Sequence, residues 1–132
     1  MFPFVPAGSL LALRPRDERP IAIGDIVCFP AADGEIVAHR TVARAPLTAE
    51  NAHDPAWITR GDAAGTEEHI AESAIAWVVE HVEHRGVRYR TDGTLGRALA
   101  RIAVERGRLY LACAKLARGA LRIRRAVRFA GA

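Results

Sequence analysis

The stretch "DIVCFPAADGEIVAHRTVA" (Asp25–Ala43) decides the fold. Two apolar, β-branched runs, Asp25–Phe29 and Glu35–Ala43, flank the short linker "PAADG" (Pro30–Gly34). A Gly-containing linker between two such runs predicts a β-hairpin.

Outward from the hairpin, the pattern stays β. "AWITR" (Ala56–Arg60) predicts a third strand, "AIAWVVEHVEH" (Ala74–His84) a long fourth, and "GVRYR" (Gly86–Arg90) a returning fifth. Pro15 and Pro20 make "RPRDERPIAIGD" (Arg14–Asp25) an extended connector, because proline gives no amide to a ladder. Pro46 and Pro55 punctuate a loop. From about Leu95 the apolar spacing becomes three and four (Leu95, Leu99, Ile102, then Leu109, Ala112, Leu116), which predicts amphipathic helix, with Gly107 and Gly119 as break points. The fold class expected is mainly β, a coiled antiparallel sheet, with a basic helical C-terminal tail. The expected division is a β domain over 1–90 and a helical extension over 91–132.

The 132 residues suffice for one core without disulfide staples. Charge is unevenly divided. Residues 1–84 carry 6 basic and 13 acidic side chains, while 85–132 carry 13 basic and 2 acidic. Cys28 and Cys113 each sit in an apolar run and are expected to be buried free thiols. No run reaches the length of a membrane span. The N-terminus lacks a basic segment ahead of its apolar part, so a cytoplasmic location is expected.

Three polar spots beside apolar strands are candidates for chemistry: Gly8–Ser9, "AHR" (Ala38–Arg40) and "TRGD" (Thr59–Asp62). A serine hydroxyl needs an adjacent base to act as a nucleophile. Histidine suits that role near neutral pH. A carboxylate then orients the imidazole and stabilises its charged form. Each residue also has a plainer reading. Ser9 fits a turn, His39 a half-buried strand position, and Asp25 and Asp62 turn positions after glycine.

In this order, "GDIVCF…AHR…ITRGD…EEH" resembles the core of the S24/S26 serine peptidases, the clan of LexA-type proteases and signal peptidases. The similarity is greatest to signal peptidases of the ER, archaeal and spore-former type, and runs from about Pro6 to Val82. It implies a coiled β fold and cleavage of extended leader or signal-type peptides after small residues. It implies Ser9 as nucleophile, His39 as base, and Asp62 or Glu68 as orienting acid. The alternative is a degenerate module that binds peptide or a partner without cutting.

The chain departs from that family at Leu10, where Met is usual, and at Ala12, where Pro is common. The connector from Ser9 to Gly24 is short, and the reading is of a short form without the N-terminal membrane helix. No cofactor or metal is expected: His81 and His84 fall on opposite strand faces, with no cysteine near them. A peptide or protein substrate is the expected partner. The basic tail reads equally as a packed helix or as a contact with anionic membrane, and nucleic acid is disfavoured.

Overall fold

A computed structural model describes residues 5, 8–49, 51–61, 66–107 and 109. Among them lie seven strands: β1 (Leu10–Pro15), β2 (Ile26–Pro30), β3 (Ile36–Arg44), β4 (Ala56–Arg60), β5 (Glu67–Ala71), β6 (Trp77–His84) and β7 (Val87–Arg90). A helix, α1, covers residues 94–107. The fold is therefore mainly β with a C-terminal helix, as the sequence predicts. The rest of the expected helical tail, with Gly119 and Cys113, lies outside the described residues.

The strands form one sheet in the order β1-β6-β2-β3-β4-β5, with β7 also on β6. Every pairing is antiparallel. The predicted hairpin is β2–β3, in register from Ile26↔Arg40 to Pro30↔Ile36, with Gly34 at φ 85° in its turn. Two strands were not expected. β1 occupies what reads as an apolar lead-in to the connector, and β5 is the polar run "EEHIA".

The sheet is buried on both faces, which explains the continuous apolar run of β2. Val27, Phe29, Trp57, Ile75 and Val78 form one cluster with Ile21. Ile26, Cys28, Val79 and Val82 form another, covered by Val5, Leu11 and Tyr89. Fully burying side chains of this size stabilises by about 1.5–3 kcal/mol each.

A bulge lets β6 serve both clusters. Leu13 pairs Val79 and Ala12 pairs His81, so Glu80 is an extra residue. The side-chain alternation resets there, which puts Val79 and Val82 on one face despite their odd spacing. Thr91 satisfies the disrupted backbone: its N–H donates to the Glu80 carbonyl (2.9 Å) and its hydroxyl to the Val79 carbonyl (2.6 Å).

Candidate functional site

His39 lies in β3 opposite Val27, on the face of the first core cluster. Its ring stands edge-on to Phe29 at 5.6 Å. Neighbouring strands bring Glu68 to it: Thr41 pairs Thr59, and Thr59 pairs Glu68. Opposed residues in antiparallel strands share a face, and His39 lies two residues from Thr41 on that same face. The Glu68 Oε2 stands 3.4 Å from His39 Nδ1. The contact is too poorly aligned for a hydrogen bond, so the pair is an electrostatic contact across half-buried space. Of the four candidates, the structure brings these two together.

Ser9 goes elsewhere. It follows Gly8 (φ 80°) and immediately precedes β1, whose Leu10 pairs Glu83. Ser9 therefore comes level with His84, and its Oγ lies 3.3 Å from His84 Nδ1. His39, by contrast, is level with Val27, which pairs Val78. Val78 and His84 are six residues apart on β6, about 20 Å of strand. They also meet their partners on opposite edges of β6. Asp62 lies outside the described residues.

The remaining residues of the three spots have structural work. Arg40 is buried and its Nη1 donates to the Gly24 carbonyl at 2.8 Å. Thr41 is fully buried, its hydroxyl donating to the Ala22 carbonyl at 2.7 Å. Asp25 accepts from Arg19 Nη2 and from the Ala22 N–H, both at 2.9 Å, which fixes the turn ahead of β2. Gly24 is required for a second reason: a Cβ there would lie 2.9 Å from Ala100 of α1, and its φ is 94°.

Arg60 is buried as well. Its Nη1 donates to Glu67 Oε1 at 3.2 Å, and its Nη2 reaches the Ala103 and Val104 carbonyls at 3.2 and 3.3 Å. These are charge-assisted hydrogen bonds to two carbonyls of α1, stronger than neutral ones. The arginines of "HR" and "TR" thus tie the sheet to a turn and to α1.

Sequence reading did not find a polar cleft beside α1. It encloses about 490 Å³ between the 19–25 loop and α1, with Arg19, Asp25, Asp92, Arg97 and Arg101 in its lining. Helical spacing of Arg97 and Arg101 was the available signal, but the facing loop was not foreseeable. Among the described residues, no group of His, Cys, Asp and Glu is arranged to hold a metal ion. No described helix is long and apolar enough to cross a membrane. The chain matches no protein-family model, no curated protein and no solved structure.

Proposed function

We propose that this chain is a signal-peptidase-like module that holds an extended peptide, with His39 and Glu68 as its polar centre and Ser9 outside that centre. The sheet register supports this reading: Ser9 is level with His84, while His39 is level with Val78. A general base must come within hydrogen-bond reach of the hydroxyl it serves. Ser9 engages a different imidazole.

The peptide would add to β5. That strand ends the sheet order, and among the described residues no strand pairs with its outer edge beside Glu68. Main-chain hydrogen bonds would supply affinity, and Glu68 and His39 would read the peptide's polar groups.

A second reading, cleavage by a serine endopeptidase mechanism, is favoured by the His39–Glu68 contact itself. A base with a carboxylate beside it is two-thirds of a nucleophilic triad. In that reaction the hydroxyl would attack the scissile carbonyl while His39 takes its proton and passes it to the leaving amine. Water would then resolve the acyl-enzyme.

A panel of extended leader-type peptides with small residues, followed by anisotropy and by mass spectrometry, separates the two. Binding without turnover, weakened by His39→Ala and Glu68→Ala and unchanged by Ser9→Ala, is expected. Turnover lost in both Ser9→Ala and His39→Ala would instead establish the peptidase with Ser9 as its nucleophile. Turnover lost only in His39→Ala would assign the hydroxyl to another group. Neither binding nor turnover across the panel would remove both readings.

A further inference from the structure

We infer that the cleft between the 19–25 loop and α1 binds a small organic phosphate monoester, with Arg97 and Arg101 holding the phosphate. Its lining shares no residue with the His39–Glu68 centre, so it is a separate site.

Both walls of the cleft are fixed from behind. In the loop wall, Arg40 Nη1 donates to the Gly24 carbonyl, the Thr41 hydroxyl to the Ala22 carbonyl, and the Ala22 N–H to Asp25. The helix wall is held by Arg60, which donates to the Ala103 and Val104 carbonyls. The walls meet at Gly24, where a Cβ would come within 2.9 Å of Ala100. The cleft encloses about 490 Å³. Small-molecule sites run from roughly 300 to 1,000 Å³. A cleft whose walls are already held spends little on ordering when a ligand enters.

The helix wall carries the charge. At about 100° per residue, Ala100, Arg101 and Val104 all fall within about 60° of Arg97 around α1. The cleft therefore meets two guanidiniums one turn apart, beside the buried side chains of Ala100 and Val104. Among the described residues, neither guanidinium has an ion pair or a hydrogen bond. The carboxylates of the lining are engaged elsewhere. Asp25 is held by Arg19 at 2.9 Å. Asp92 accepts from Arg90 Nε and Nη2 at 3.0 and 3.1 Å, and Glu105 has a partner of its own.

Charge and shape select the ligand class. A carboxylate is filled by one guanidinium fork, whereas a phosphate monoester offers three terminal oxygens and a double charge to two forks. The wall carboxylates repel further anionic groups, which argues against polyphosphates and nucleic acid. Across the cleft stands Ile23, 57 % exposed, which gives the organic part of an ester an apolar wall.

Titration of the isotope-labelled full chain with phenyl phosphate, followed by amide NMR shifts, tests this. Shifts at Ile23, Gly24, Arg97 and Ala100 are expected, with weaker binding of inorganic phosphate and benzoate. Arg97→Gln and Arg101→Gln should each lower affinity about tenfold. Arg106→Gln removes the same charge from the opposite side of α1 and should leave affinity unchanged. Thermal melts check that each variant is folded. No response to phenyl phosphate, equal affinity for benzoate or inorganic phosphate, or an equal loss in Arg106→Gln would overturn the proposal. So would retention by phosphatidic acid vesicles or by a DNA duplex without a response to phenyl phosphate.

Discussion

The Arg60 guanidinium occupies the space that a side chain on Gly107 would fill. A Cβ built on Gly107 would lie 1.7 Å from Arg60 Nη2. Alanine is normally better than glycine in a helix by about 1 kcal/mol. Here the preference inverts. Arg60 can move only by giving up the Ala103 and Val104 carbonyls in a buried setting, and a buried charge with fewer partners is costly. Gly107→Ala should therefore destabilise by about 1–2 kcal/mol net, seen as a lower Tm. In an Arg60→Ala background the same substitution should become neutral or stabilising, because the space is then open. Additive effects in that double-mutant cycle would show that the two residues are not coupled.

That coupling also marks where sequence reading stopped. The hairpin, the long β6 and α1 were legible because their signals are local: an apolar run, a Gly-containing turn, a change of period. β1 and β5 were not. β1 holds Pro15 and mostly exposed side chains, and β5 opens with "EEH", so neither shows a buried stripe. Both are strands because β6 and β4 offer them an edge, a tertiary fact. The site divides in the same way. Glu68 was a candidate from its position after "RGD", and strand pairing delivers it to His39. The neighbour of Ser9 was not legible because a Gly–Ser pair reads alike in a turn and in a nucleophile box. The pairing of Leu10 with Glu83 is what sets Ser9 beside His84. Arg40 and Arg60 lie in the quoted motifs, but the carbonyls they serve are 16 to 44 residues away along the chain.

Cys28 should be chemically silent in the folded chain. It is buried in β2, and burial pushes its thiol up to about 11. The thiolate, which is the reactive form, is then scarce at pH 8. In a Cys113→Ser background, Cys28 should label with a disulfide reagent only under unfolding conditions. The pH dependence has a definite sign. An unfolded thiol ionises near 9.0 and the folded one near 11, so the unfolded chain loses its proton first. The Cys28 contribution is thus complete below about pH 9 and declines as pH rises towards 11, by up to about 2 kcal/mol. Cys28→Ala should flatten that decline in urea titrations. Rapid labelling of the native chain at pH 8 would contradict the burial argument.

Asp25 stands in the "GD" that resembles a peptidase motif, and its contacts assign it to the turn. One carboxylate oxygen takes Arg19 Nη2 and the other takes the Ala22 N–H. Its neighbours depend on it: Thr41 N–H donates to the Asp25 carbonyl at 2.9 Å, and Gly24 N–H to the Thr41 carbonyl at 2.8 Å. Asp25→Ala removes two charge-assisted hydrogen bonds in a mostly buried setting. Because Arg19 is partly exposed, its bond is worth less than the backbone one. The loss should be about 2 kcal/mol. Asp25→Asn keeps an acceptor for Ala22 and should lose about half as much. A residue of the binding centre would behave differently, because its substitution would change peptide affinity in a chain that melts like the parent. Peptide affinity measured well below each variant's Tm should be unchanged for both. A variant that keeps its Tm but no longer binds peptide would move Asp25 from the turn to the site.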